Sequence, residues 1–169
     1  MEVVEAVCTR RTHKVFGPEP VDRTTLDALL ELARWAPNHH LSNPWRFRVL
    51  GPGALARLKA ADAKGAAKLD RAPTLIAVSS LRSADDPQRE QEDLCATACA
   101  AYLVLLGAHA RGLAGYWRTP EVLRMPAGLT AVGITEDERV VGLLHLGPPR
   151  QEPPAPERAP VSDVVTYLD

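Results

Sequence analysis

Residues 87–110 read PQREQEDLCATACAAYLVLLGAHA, and the folding of this stretch decides the architecture. Its first turns carry Gln, Arg and Glu. From Leu94 to Ala108 it is apolar or small almost all round. The pattern predicts one long helix, and a helix apolar on every face must be covered on every face. A membrane would cover it, but a span needs roughly 20 apolar residues. This run is shorter and carries Thr97, Gly107 and His109. It therefore reads as a central core helix. In a chain of 169 residues a second subunit is an expected part of the cover. Cys95 and Cys99, four apart on one face of the run, read as core packing.

Working outward, helices and strands alternate as in one α/β unit. Val3, Val4 and Val7 give a short amphipathic helix over residues 2–9. After the breaker Gly17-Pro18-Glu19-Pro20, Leu26, Leu29, Leu30 and Ala33 form a second helical stripe, capped by Asp22 or Thr24 and ended before Pro37. Residues 45–50 alternate apolar and basic ahead of Gly51-Pro52-Gly53 and predict a strand. Residues 54–69 read as helix. Residues 74–78 read as a strand buried on both faces, and 112–117 and 139–146 as two more. Thr119-Pro120-Glu121 has the cap and first-turn proline of a helix start. The proline-rich stretch 147–160 cannot enter a helix or a central sheet. With Val161, Val164, Val165 and Leu168 beyond it, the expectation is one domain over residues 1–169, with 147–169 as an extended arm that embraces a partner.

Composition narrows the function. Twenty basic and 21 acidic residues give a net charge of −1, which leaves no global field for nucleic acid or an anionic membrane. Three cysteines make no disulfide scaffold, and MEVVEAVCTRR carries no basic-then-apolar leader, so a cytoplasmic location is expected. No Gly-x-Gly-x-x-Gly, Walker loop or Cys-x-x-Cys is present, and His39-His40 lack companions at metal-ligand spacing.

Three donor-rich segments remain. Arg10-Arg11-Thr12-His13-Lys14 offers fork donors and a hydroxyl to a phosphate or a polar ring edge, or else is a solvated basic end to the first helix. The loop from Trp35 to Trp45 holds two tryptophans, two histidines and two asparagines, a composition suited to a planar partner or a subunit interface. Residues 115–120 put Arg118 and Thr119 at a strand-to-helix turn.

Taken in order, Arg-Arg-Thr-x-Lys-x-Phe (10–16), Ala-Pro-Asn-His-His-Leu-x-x-Pro-Trp-Arg-Phe (36–47), Trp-Arg-Thr (117–119) and Val-Gly-Leu-Leu-His-Leu-Gly (141–147) resemble the FMN-dependent nitroreductase family, and its short subgroup most. The resemblance implies an α+β sandwich, a mostly antiparallel sheet wrapped by helices, and a homodimer with FMN at the subunit interface. It implies FMN contacts from Arg10, Arg11, Thr12 and Lys14, with Lys14 near the pyrimidine edge, where a positive charge favours the anionic reduced flavin. Trp35 and His39 would reach the flavin of the other subunit. Trp117, Arg118 and Thr119 form the third segment, and Arg158 is the candidate for the phosphate. The sequence departs from the family at Thr12, Trp35 and Pro120, where Ser, Arg and Gly are usual. The implied activity is ping-pong reduction of nitroaromatics, quinones or similar planar acceptors by NAD(P)H, with no side chain assigned as catalytic. The alternatives are a flavin-binding or storage protein of the same fold, and a dimeric small-molecule binder without flavin.

Overall fold

The computed structural model describes residues 1–168; Asp169, the last residue of the expected arm, lies outside the described residues. Helix α1 spans Val3–Thr9 and α2 spans Arg23–Ala33. Asp22 is the cap: its carboxylate accepts from the Thr25 N–H at 2.9 Å and the Thr25 hydroxyl at 2.7 Å. Those two bonds hold its carboxyl below the usual carboxylate range. Strand β1 (Trp45–Val49) follows, then α3 (Pro52–Ala61), β2 (Thr74–Leu81), α4 (Pro87–Ala110), β3 (Ala114–Arg118), α5 (Pro126–Val132) and β4 (Glu138–Gly147).

The four strands form one sheet in the order β1-β2-β4-β3, each neighbouring pair antiparallel. This is the α+β arrangement expected. Alternation sends Ile76, Val78, Leu144 and Leu146 to one face, where they pack with Leu26 and Leu29 of α2 and Ala100, Val104 and Leu105 of α4. The other face carries Leu75, Ala77 and Leu143 against Leu58 of α3, Leu69, Val122 and Val132 of α5. Both faces being covered explains why β2 reads as an unbroken apolar run. Arg48 of β1 and Ser79 of β2 both bond to Glu138 at the start of β4, which ties three strands at one end. The register slips between Val78 and Ser79, which face Gly142 and Val140, so Val141 is the extra residue of a β-bulge.

Several expectations need correction. Cys95 and Cys99 are exposed rather than packed in the core. The core side of α4 is Ala96, Thr97, Ala100, Ala101, Val104 and Ala108, and the two cysteines lie along the helix edge away from it. The predicted helix 54–69 breaks in two. α3 ends at Ala61, Asp62 accepts from the Gly65 N–H at 3.0 Å, and a separate 3-10 turn runs Ala66–Arg71. A side chain that bonds its own backbone competes with the helix. Thr119 caps nothing: Glu121–Arg124 is a 3-10 turn without a side-chain cap, and the helix proper starts at Pro126. It ends on Gly133 at φ 69°, the left-handed conformation glycine adopts without penalty.

In α1 only Ala6 is buried; Val3, Val4 and Val7 face outward. The arm leaves β4 pinned to residues 15–17 by Gly17 N–H to Pro148 O (2.8 Å) and a Phe16–Pro149 bridge. Val161, Val164 and Leu168 at its end are exposed.

Candidate functional site

The N-terminal segment is held against β3 as a fringe strand. Thr12 forms a parallel bridge with Gly115, and the His13 N–H donates to Gly115 O at 3.1 Å. An extended segment turns alternate side chains to opposite sides. Arg10 goes to one side and lies 5.6 Å over the ring of Tyr102 on α4. Its Nε is buried and has no hydrogen-bond partner among the described residues. Arg11 and His13 go to the other side. Arg11 Nη1 donates to Cys8 O (2.7 Å) and Arg10 O (3.0 Å), and His13 is buried with Nδ1 3.2 Å from Arg11 O. Thr12 and Lys14 are exposed.

The second segment is a clasped loop. Asn38 Oδ1 accepts from the Asn43 N–H (2.9 Å), Asn38 Nδ2 donates to Ala36 O (3.2 Å), and Asn43 Nδ2 donates to Leu41 O (2.7 Å). His40, Leu41 and Asn43 all take left-handed backbone, with φ of 48°, 53° and 46°. Ser42 pins the loop to α4 through its hydroxyl on Asp93 Oδ1 at 2.5 Å. His39 Nδ1 stands 3.4 Å from Glu92 Oε2, also on α4. Trp35 is 77% exposed and touches its own helix through Nε1 to Glu31 Oε1 (3.3 Å).

In the third segment the pleat of β3 splits the Trp-Arg pair. Trp117 packs toward α4, and its indole N–H donates to Val141 O at 3.2 Å. Val141 is the bulged residue, which frees its carbonyl from the ladder. Arg118 points the other way and reaches Lys68 O at 3.4 Å. Thr119 is exposed at the strand end, and Arg158 is exposed on the arm.

What unites the three segments is the outer edge of α4. Pro37, Ala98, Cys99, Tyr102, Leu103 and Trp117 line an apolar cleft of about 470 Å³. Arg10 overlies the Tyr102 ring at its rim. The cleft therefore joins the loop, the strand and the N-terminal cation, and His39 lies in an adjoining hollow with Cys95 and Cys99. It does not include Arg11 or Arg118. Tyr102 is the residue that sequence reading missed, because it sits inside the apolar run read as core. Its signal was its spacing: Cys95, Cys99 and Tyr102 fall on one helical edge at intervals of four and three. An aromatic-walled cleft with a cation at its mouth suits a flat ligand bearing an anionic group.

The nitroreductase family profile matches residues 7–65. YfhC of Bacillus subtilis, named as a candidate NAD(P)H nitroreductase, is 26% identical over 97% of this chain and 93% of its own length. A nitroreductase-like family protein from Bacillus cereus superposes with a TM-score of 0.88 at 25% identity, over 100% of this chain and 97% of that one. A candidate nitroreductase from Desulfovibrio desulfuricans, solved in complex with FMN, gives 0.83 at 25% identity over 99% and 96%.

Proposed function

We propose, from the chain's likeness to nitroreductases, that it is an FMN-dependent oxidoreductase that uses NAD(P)H to reduce nitroaromatics, quinones or similar planar acceptors. The observation that carries this reading is the Arg10 guanidinium. Its buried Nε lacks a partner beside an apolar, aromatic-walled cleft. An unpaired buried polar group costs about 1–3 kcal/mol, which a bound anion would relieve. The residues therefore fit a group that is flat and apolar along its ring and negative at its end.

In this reading Arg10 holds the phosphate, and Arg158, exposed on the arm, is a second candidate for it. Thr12 supplies a hydroxyl, and Lys14 a positive charge at the pyrimidine edge. Trp117 walls the ring, and Thr119 closes the segment at the strand end. Trp35 and His39 extend toward the site of a second copy, which their exposure and the clasped loop favour. Arg11 and Arg118 serve the site only by anchoring its backbone, through Cys8 O and Lys68 O. Bound FMN would supply the redox chemistry, ping-pong hydride transfer from NAD(P)H to the acceptor. The chain binds, orients and excludes water, and no side chain is required as a general acid or base.

The purified protein is expected to be yellow, with one FMN per subunit and bleaching on anaerobic addition of NADH or NADPH. Arg10→Ala should weaken FMN roughly 10- to 150-fold, the scale of about 1.5–3 kcal/mol for a hydrogen bond to a charged group. Arg82→Ala, on an exposed turn, is the control. Equal losses from the two variants, or a chain that stays colourless with excess FMN, would defeat the reading. Retained colour without bleaching would point instead to flavin storage.

The exposed valines of α1 and the apolar arm end give a second copy its docking surface. Removal of residues 151–169 is therefore expected to weaken a homodimer and lower its flavin content. Sedimentation of the full and shortened chains decides this; an unchanged dimer at low concentration would make the arm a mere tail.

A further inference from the structure

A cavity of about 720 Å³ lies on the opposite side of the N-terminal segment from Arg10. The end of α1, the turn after α4 and the first residues of the arm enclose it. Its polar walls include Thr9, Arg11, His13, His109, Arg150 and Glu152. Two guanidinium groups and two imidazoles thus face one groove with a single carboxylate.

The hydrogen bonds fix the tautomers of both histidines. The Thr9 hydroxyl has one proton and donates it to Glu5 O at 2.6 Å. At 2.8 Å from His109 Nε2 it must therefore accept, so Nε2 carries the hydrogen. Arg11 O can only accept, so His13 Nδ1 carries the hydrogen there. In the neutral rings His13 Nε2 and His109 Nδ1 are left as bare lone pairs. Both rings are disposed to stay neutral. Burial lowers the His109 pKa, and Arg10, His13 and Arg11 lower it further against Glu5. Burial also lowers that of His13, with Arg10 adding to it and the bond to Arg11 O opposing. Arg150 and Glu152 of the arm and the amino group of Met1, which also lines the cavity, are the other charges at this groove. A lone pair repels an anion; a proton turns it into a donor.

We propose that this groove binds a phosphate-class anion, inorganic phosphate or a phosphomonoester, together with protons taken up by His13 and His109. Two guanidinium forks and two imidazolium N–H groups offer more donors than one carboxylate can use, and they suit three phosphate oxygens. The groove is larger than a bare ion, so a phosphomonoester has room for its body. It is distinct from the proposed flavin cleft, because alternation along residues 10–14 turns Arg11 and His13 away from Arg10. Arg11 acts on the rear side of that segment, and a bound anion would tie it to Arg150 of the arm.

Calorimetric titration with inorganic phosphate and with ribose 5-phosphate tests this, on the protein as purified and again after saturation with FMN. Runs at about pH 6 and about pH 8, in buffers of different ionisation enthalpy, count the protons. Binding is expected in both preparations, about tenfold tighter at the lower pH, with net proton uptake. Arg150→Ala and His109→Asn should each weaken it about tenfold. Tighter ribose 5-phosphate would identify a phosphomonoester as ligand; equal affinities would identify the phosphate group alone. The proposal is overturned by phosphate that binds only in competition with FMN, by affinity indifferent to pH, by no binding heat, or by variants that bind like the parent. Failure to bind FMN would sink the flavin reading and leave the phosphate titration decisive on its own.

Discussion

Gly142→Ala is expected to destabilise the chain by about 2–4 kcal/mol. A Cβ at this position would lie 2.2 Å from Trp117 Nε1 and 2.9 Å from Arg118 O. The indole must swing away, and the bond from Nε1 to Val141 O goes with it. Overpacking typically costs about 1–3 kcal/mol, and a lost hydrogen bond adds about 0.5–1.5. Because Trp117 walls the proposed flavin cleft, FMN retention should fall in parallel. Urea unfolding and flavin content measure the two effects. A loss below about 0.5 kcal/mol would show that Trp117 is not seated as described.

The second large effect concerns His145. It is fully buried in β4, its ring 5.7 Å from that of Tyr116, and neither ring nitrogen has a hydrogen-bond partner among the described residues. Burial first, then Arg118 and Arg71, push its pKa down to about 3. The sign follows from linkage. In the unfolded chain a histidine takes up a proton near pH 6.5, while the folded chain resists until about 3, so acid favours unfolding. Stability should be unaffected by this group above about pH 6.5 and fall below it by up to about 1.4 kcal/mol per pH unit. At about pH 4.5 the loss reaches roughly 2–3 kcal/mol. His145→Phe keeps a ring beside Tyr116 and removes both unpartnered nitrogens, so its acid slope should be shallower by one proton. Identical slopes in parent and variant, from urea melts between about pH 4 and pH 8, would contradict the assignment.

The elements with strong periodicity or punctuation were legible in the sequence. Asp22 with its apolar stripe gave α2, the basic-apolar alternation at residues 45–50 gave β1, and the long run gave α4. The predicted strand at 74–78 was right in kind but short, because Ser79 and Ser80 look like a polar end yet are buried, Ser79 where Arg48 and Glu138 meet it. Helix 54–69 could not be seen to break, since Asp62 reads as an ordinary helical residue until its carboxylate bonds back to Gly65. The candidate site was legible as three segments but not as a surface. Arg10 and Arg11 are adjacent and chemically alike, and only the bridge between Thr12 and Gly115 decides which faces Tyr102. The same holds for Trp117 and Arg118, which the pleat of β3 sends to opposite layers. Cys95 and Cys99 misled because an apolar helix gives no indication of which edge is left bare.

The three left-handed residues at His40, Leu41 and Asn43 have a consequence for how this chain can vary. Asparagine tolerates that conformation, but Leu41 would be more comfortable as glycine, by about 1 kcal/mol or more. A glycine there would also widen the range of positions open to His39. The loop thus trades ease of folding for a narrow aim, and drift toward glycine at position 41 would preserve the fold while blurring where the imidazole points.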